Sequence, residues 1–368
     1  MSKGVISRGV SAPIIREGDD IVKIVVDSVL NEVRNVEVVS VPYYIDGVRT
    51  HRNEEKISYN LNNKDVIGIT ESVIARAAGQ YVSVDDIAND IVKKYGENPT
   101  IELISPIYSR NRFSMILKGI ARAAEKLIIY MPEHDEVGNP RGVNPFTGVN
   151  IEEYYKEICQ NENCKCVIKY ERDDENYPVL DCRLHAAHMK LPHRRELINW
   201  TEYYLDEICD DVSPDWGLLG TNKSTEERLK LFPSREVAQK VCDEVKAQLK
   251  KITGKDVIVC CYGDGCFHDP VANIWEWADP TTMPAYTDQE LIESTPNEIK
   301  LKAFIDEGTT EEKIKKLISE KKDLVGSMTA QGTTPRLYRD LLASLMDLTS
   351  GSGDRATPII LIQNYFRD

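Results

Sequence analysis

Short unbroken apolar runs set between amphipathic helical stretches predict a mixed α/β fold. Asp65 to Thr70 (DVIGIT), Val257 to Tyr262 (VIVCCY) and Pro358 to Ile362 (PIILI) are such runs. They do not alternate between apolar and polar residues, which is the pattern of strands covered on both faces. The stretch that organises the chain runs from Ser234 to Asp269. Val237, Val241, Val245, Leu249 and Ile252 recur there at helical spacing, Ser234 is placed to cap the helix, and Gly254 can take the left-handed conformation that ends it. The strand that follows is expected to be central in its sheet.

The remaining elements follow in order. After an apolar-proline turn, Glu17-Gly18-Asp19-Asp20 leads into a helix with Ile21, Ile24, Val25 and Val29 inward. The DVIGIT strand leads to Glu71, Ser72 and Arg76 at its end, where polar function gathers. Ser83 caps a helix through Ile87, Ile91 and Val92 to Gly96. A longer helix is predicted over roughly 110–126, with Ile116, Ile120, Ala121 and Ala124 inward, followed by a strand from Leu127 to Tyr130. Charged helices are predicted near 287–306 and 310–321, with Thr309 and Glu312 spaced as a capping box. Thr334-Pro335 opens an amphipathic helix through Leu337, Leu341, Leu342 and Leu345, which gives way to the loop TSGSGDRAT and the terminal strand.

From Met131 to about Pro214 the character changes. Loop signals such as Asn139-Pro140 and Asn144-Pro145 accumulate, and cysteines and histidines cluster, so an inserted subdomain is expected at 131–214, between core parts at 1–130 and 215–368.

Composition narrows the partners. The chain has 368 residues, a formal net charge of −14 and a pI near 5.1, which argues against a nucleic-acid or anionic-membrane surface. No apolar run approaches the length that spans a bilayer, and the start lacks the apolar core of a signal peptide. Nine cysteines in a long, charged chain fit a reducing compartment. The expectation is a cytoplasmic protein.

Two loops and one cluster are candidates for chemistry. Gly263-Asp264-Gly265 sets a carboxylate between residues without side-chain bulk at the end of a buried strand, open to a phosphate or metal, or simply an ordinary turn. Thr349 to Arg355 (TSGSGDR) can form an anion-binding nest, or merely connect helix to strand. Cys159, Cys164, Cys166, Cys182, His185, His188 and His193 lie close in sequence and suit zinc or an iron–sulfur cluster by donor type, although their spacing matches no paired Cys-x2-Cys pattern and free thiols with surface histidines are the default reading. Cys260 and Cys261 point to opposite faces of one strand and are read as packing. Cys266, near His268, is the cysteine better placed to be reactive.

Taken together and in order, several segments resemble the γ-glutamyl ligase family that adds glutamate to the deazaflavin coenzyme F-420. SAPIIREGDDIVKIV resembles the family's N-terminal turn, and DVIGITESVIARAAG its strand followed by Ser-Lys-x-Glu-Gly. ITGKDVIVCCYGDGCF resembles the strand ending in Asp-Thr/Ser-x-Gly-Arg, KKDLVGSMT the Asp-Leu-x-Gly-Arg segment, and SGSGDRATPIILI the glycine-rich loop before the last strand. The resemblance covers nearly the whole chain except the insertion. It implies a two-part ligase-like fold with mixed sheets, a homodimer, and a GTP-dependent (or ATP-dependent) enzyme using Mg²⁺ or Mn²⁺. In that chemistry an acceptor carboxylate is phosphorylated and the amine of L-glutamate attacks the acyl phosphate.

Carried over residue by residue, the resemblance has the nucleotide touch Ala12, Pro13, Ile14, Ile15, Glu71, Ser72, Arg76 (where the family has lysine), Asn222, and Ser350, Gly351, Ser352, Gly353, Asp354 and Arg355. Arg76 and Arg355 hold phosphates, and Asp264 and Asp354 hold the metal. Leu219 stands where the family has a metal-binding aspartate, so Glu71 and Asp215 enter as replacements. The competing expectation is a nucleotide- or metal-binding protein that kept the fold without the catalysis.

Overall fold

A computed structural model describes residues 4–46, 48–104, 113–131, 143, 148–170, 182–185, 201–269, 274–293, 295, 304–320, 337–350 and 356–366. The three apolar runs become neighbouring strands of one mixed sheet. It is ordered β1 (Ile6–Val10), β15 (Ile359–Gln363), β4 (Val66–Thr70), β13 (Ile258–Asp269) and β14 (Ile274–Thr281). β4 and β13 run parallel, from Val66 opposite Ile258 to Thr70 opposite Tyr262, while β15 is antiparallel to β4.

Each face of this sheet is covered by helix. On one side α1 (Ile21–Val33) and α6 (Arg235–Thr253) bury Val25, Val29, Val245 and Leu249 against Ile67, Ile69, Val259, Cys261 and Leu361. On the other, the last helix (Tyr338–Ser350, α8 below) packs Leu342 and Met346 on Val66, Ile258, Cys260, Ile360 and Ile362. Double coverage is why these strands read as unbroken apolar runs, each buried side chain contributing roughly 1.5–3 kcal/mol. Cys260 and Cys261 fall in the two different cores, as their alternation requires. Met346 fills the space beside Gly68 that a Cβ would need, which brings α8 close onto β4.

The second sheet is wholly parallel, ordered β10 (Thr201–Tyr204), β9 (Cys182–His185), β6 (Thr100–Ile104), β7 (Lys126–Met131) and β8 (Lys165–Tyr170). Residues 131–214, set apart in sequence by their composition, therefore supply β8, β9 and β10 to the sheet begun by β6 and β7. One face packs against α3 (Val84–Tyr95), α4 (Phe113–Ala123) and α5 (Ile151–Asn161). At the crossing of α3 and α4 a Cβ on Gly119 would stand 2.6 Å from Ile87 Cβ, so glycine there permits close packing.

Between the sheets lies a small antiparallel ladder of β11 (Asn222–Thr225), β12 (Arg228–Lys230) and β5 (Tyr81–Ser83). Apart from these, β2 (Arg34–Ile45) and β3 (Val48–Tyr59) form a long hairpin carrying exposed Val36, Val38, Tyr44, Ile45, Val48 and Ile57. Helix α2 (Glu71–Ala77) follows β4 directly, and α7 (Glu311–Glu320) precedes α8.

Caps agree with the sequence reading. Ser234 caps α6, Ser83 and Asp86 form a capping box, and Gly254 ends α6 at φ 71°. Several details differ. Ile252, expected inward, is exposed beyond the buried stripe of α6. The helix predicted over 110–126 ends earlier, at Ala123, and residues 110–112 lie outside the described residues. Of the helix expected near 287–306, the part around Gln289–Ile292 is a single 3-10 turn, and residues 294 and 296–303 lie outside the described residues. Gly263 to Gly265 is an irregularity within the continuous strand β13 rather than a loop, because β14 pairs with it. Thr349 and Ser350 belong to α8, which runs one turn further than its apolar spacing implied. No helix among the described residues is long and apolar enough to cross a membrane.

Candidate active site

The parallel pairing of β4 with β13 stops at Thr70 and Tyr262, where the chain leaves β4 for α2, and a cavity of about 440 Å³ opens there. Such a crevice at the carboxyl ends of parallel strands is where α/β sheets take ligands. Its walls come from widely separated stretches: Ala12 to Ile15 after β1, Thr70 to Val73 and Arg76 at β4 and α2, Tyr262 and Gly263 on β13, Asp347 and Ser350 on α8, and Ala356 to Pro358 before β15. Backbone bonds hold these walls together. Thr70 N–H donates to the Pro358 carbonyl at 3.0 Å, and Ala12 N–H to the Ala356 carbonyl at 3.1 Å.

Within the cavity the Thr70 hydroxyl donates to Glu71 Oε2 at 2.8 Å, fixing that carboxylate over Gly263. A Cβ on residue 263 would stand 2.2 Å from Glu71 Oε2, so glycine there lets the carboxylate approach without being displaced. Asp347 and Ser350 stand one helical turn apart on α8 and share a face toward the opening. The Tyr262 phenol is pushed well above its ordinary pKa, chiefly by burial, with Glu71 and Asp347 adding to the shift and Ser350 opposing it.

One group escaped the sequence reading. Lys230 is buried, only 7 % exposed, and its ammonium donates to the Ser72 hydroxyl at the cavity wall. It reaches that point because β12 alternates, with Leu229 in the core beneath the parallel sheet and Lys230 on the other side. A polar residue between Leu229 and Leu231 was the available signal, too short a run to show a period.

Of the residues carried over from the resemblance, Ala12, Pro13, Ile14, Ile15, Glu71, Ser72, Arg76 and Ser350 all line this cavity. Asn222 does not line it, but pairs in register with Lys230 across the β11–β12 ladder, and opposite residues in a ladder project to the same side. Asp264 lies on β13 beside Gly263, its side chain outside the described residues, as are Gly351, Ser352, Gly353, Asp354 and Arg355. Leu219 is buried with Trp216 and Leu218 in the core of the parallel sheet, away from the cavity lining. Asp215, named as a replacement ligand, is also elsewhere. It accepts the Arg235 backbone N–H at 2.9 Å at the start of α6.

The side chains lining the cavity that could ligate a metal all offer oxygen: the Glu71 and Asp347 carboxylates, the hydroxyls of Thr70, Ser72, Ser350 and Thr357, and the Tyr262 phenol. That set fits a hard divalent cation and not a soft one. Among the described residues, the group of three donors mutually within 4.8 Å is Asp90, Asp210 and Asp211 instead. There Asp90 already accepts from Lys94 Nζ at 2.6 Å and from the Cys209 backbone N–H at 2.7 Å, a structural tie between α3 and the 205–211 turn.

The cysteine cluster divides. Cys159 and Cys164 are buried in the core under the parallel sheet, and Cys166 is half-buried. Hydrogen bonds to Cys164 and Cys166 push the Cys159 thiol far up, while the same contact with Cys159 holds Cys166 below its ordinary value. The side chains of Cys182 and His185 on β9, of Cys266 and His268 on β13, and residues His188 and His193 lie outside the described residues.

Compared with known proteins, the chain matches the family model described as F420-0:gamma-glutamyl ligase over residues 9–364. No curated protein matches it.

Proposed function

The chain belongs to the F420-0:gamma-glutamyl ligase family, a family of ligases forming amide bonds, and on that premise we propose that the cavity between β4, β13 and α8 binds a nucleoside triphosphate and joins L-glutamate to a small carboxylate acceptor. The observation that carries this reading is the convergence on one cavity of Ala12 to Ile15, Glu71, Ser72, Arg76 and Ser350, from stretches far apart in sequence.

In the proposed reaction an acceptor carboxylate oxygen attacks the γ-phosphorus of GTP or ATP, and the bond to the nucleoside diphosphate breaks. The amine of glutamate then attacks the acyl carbon, phosphate leaves with the bonding pair, and the amine gives up a proton as the amide forms. Arg76, from the last turn of α2, and Arg355 neutralise phosphate charge. Glu71 and Asp347, with Asp264 and Asp354, are the carboxylates that would hold Mg²⁺ or Mn²⁺, which when bound neutralises charge on the phosphates. Glu71 is held by Thr70, so its carboxylate stays directed across Gly263.

A homodimer is part of the same reading. An isolated two-stranded ribbon is marginal in water, and the apolar side chains along β2 and β3 have a use if a second copy covers them.

The second reading, a binding protein without catalysis, is favoured by one observation: Leu219, which stands where the sequence resemblance implies a metal-binding aspartate, is sealed in a core. Both readings meet one experiment. Purified protein is incubated with GTP or ATP, Mg²⁺ or Mn²⁺, L-glutamate and a panel of carboxylate acceptors. Phosphate release requiring both acceptor and glutamate is expected. A nucleotide-dependent rise in melting temperature without release favours the binding protein, and neither effect overturns both readings.

A further inference from the structure

Three of the clustered cysteines meet where α5 ends, away from the cavity lining. Cys159 sits in the last turn of that helix, Cys164 follows it, and Cys166 is the second residue of β8. The Cys164 N–H donates to the Cys159 carbonyl at 2.8 Å, which folds the chain back against the helix end before β8 begins. The Cys159 thiol is hydrogen-bonded to the sulfurs of both Cys164 and Cys166. The three sulfurs do not all lie within 4.8 Å of one another, so Cys164 and Cys166 stand apart with Cys159 between them. A zinc ion held by three thiolates would draw all three together. One central sulfur in contact with two others is instead placed to form a single S–S bond.

Access separates the three. Cys159 and Cys164 are buried, whereas Cys166 is half-buried on β8, which closes one edge of the parallel sheet beside β7. Its thiol is held below its ordinary value, first by the hydrogen bond from Cys159 and then by the charge of Lys156, against the cost of burial. The thiolate is the form that attacks an oxidant. Cys166 is therefore the sulfur that reacts first, and Cys159 the one already touching it.

We infer that Cys166 and Cys159 are a peroxide-sensitive thiol pair, which closes to a disulfide tying the end of α5 to β8. The Cys166 thiolate attacks one oxygen of a hydroperoxide, the S–O bond forms as the O–O bond breaks, and the departing oxygen is protonated. The Cys159 sulfur then attacks the sulfenic sulfur, the S–S bond forms, and hydroxide leaves with the Cys159 proton as water. A thiol reductant reverses the bond. The pair shares no residue with the cavity, so the assignment does not depend on the nucleotide reading.

The test is peptide mapping of the full chain. Reduced protein, freed of reductant, is treated with hydrogen peroxide, its remaining thiols are alkylated, and it is cleaved with trypsin without reduction. Cleavage after Lys156, Lys165 and Lys169 leaves Cys159 and Cys164 together in EICQNENCK and Cys166 alone in CVIK. The expected product is EICQNENCK joined to CVIK, with one cysteine of the longer peptide alkylated, from protein that still runs as a monomer on a non-reducing gel. Dithiothreitol separates the two peptides. Cys164→Ser keeps the joined product, and there Cys159 is the one partner the longer peptide offers. Cys159→Ser loses it and gains a dimedone-labelled sulfenic acid at Cys166, because the resolving thiol is gone.

A bond within EICQNENCK that leaves CVIK free, or a joined product that survives Cys159→Ser and vanishes in Cys164→Ser, overturns the assignment. So does a joined product found only in a dimer on the gel, or CVIK that stays alkylated throughout a peroxide titration. Zinc carried at about one per chain and lost in Cys166→Ser overturns it as well, since the thiols would then be committed to a metal. If Cys159→Ser fails to fold, the Cys164→Ser map decides by itself.

Discussion

In the mixed sheet, β4, β13 and β15 send side chains into helix-covered cores on both faces. In the parallel sheet, β6 and β7 give Ile101, Leu103, Leu127 and Ile129 to the core shared with α3, α4 and α5, and turn Glu102, Ile104, Ile128 and Tyr130 the other way. A strand sealed on both faces has room for polar function only at its ends. The mixed sheet accordingly keeps Thr70, Glu71, Tyr262 and Gly263 where β4 stops and its pairing with β13 ends, and the cavity forms there. The helical side of the parallel sheet is filled instead, down to Leu219 and Trp216. If the contrast is right, one region tolerates polar groups at strand ends and the other tolerates none in its core.

The largest expected effect comes from putting a carboxylate where the sequence resemblance implies one. Leu219→Asp buries an unpaired charge among Trp216, Leu218 and their neighbours and removes a packed leucine, a cost on the order of 4 kcal/mol or more. Urea unfolding read by tryptophan fluorescence measures it. A Leu219→Asp variant as stable as wild type, with stronger Mn²⁺ binding, would put residue 219 on the cavity and break the comparison.

Gly263→Val should leave the cores standing but close the cavity. The new side chain collides with the Glu71 carboxylate, which Thr70 holds in place. Nucleotide-dependent stabilisation is expected to vanish, with a loss of stability of about 1–3 kcal/mol from overpacking. Gly119→Val makes the matching change in the other region, where the neighbour is Ile87. Its stability falls by a similar amount, roughly 1–3 kcal/mol, while nucleotide affinity stays at the wild-type value. Equal loss of affinity in both variants would mean the two regions are not separable in function.

This division also decides what could be read from the sequence. The doubly covered strands announce themselves, so the resemblance could place Ala12 to Ile15, Glu71, Ser72 and Arg76 on one site. Strands β8, β9 and β10 carry lysine, cysteine, histidine, threonine and glutamate in short pieces, KCVIKY, CRLH and TEYY, whose strand character shows only in their pairing with the sheet of β6 and β7. Asp347 was hidden by a helix that outlasts its apolar spacing by a turn, and Lys230 by a strand too short to have a period. In each case long-range pairing decides what the local pattern leaves open.

The smallest effect separates the regions by pH. Arg122 of α4 grips Glu162 with two bonds, at 2.8 and 3.1 Å, and also reaches Asp85 at 2.8 Å and Glu227 at 3.0 Å. Lys118 joins Glu227, and with Arg122 it holds that carboxyl below its ordinary pKa. Lys94 does the same for Asp210 against the opposing cost of burial. A carboxylate whose folded pKa is depressed binds its proton more readily when unfolded. Its stabilisation is therefore full above the ordinary values of 4.5 for Glu227 and 3.8 for Asp210, and is lost as pH falls through the lower folded ones. Because Glu227 and Asp210 are largely exposed, each pair is worth only about 0.2–1 kcal/mol. Arg122→Met should therefore flatten the decline in stability between about pH 5 and pH 3, and 1 M salt should do so in wild type. An Arg122→Met variant whose acid limb matches wild type in low salt would show that these bonds hold no part of the parallel-sheet region together.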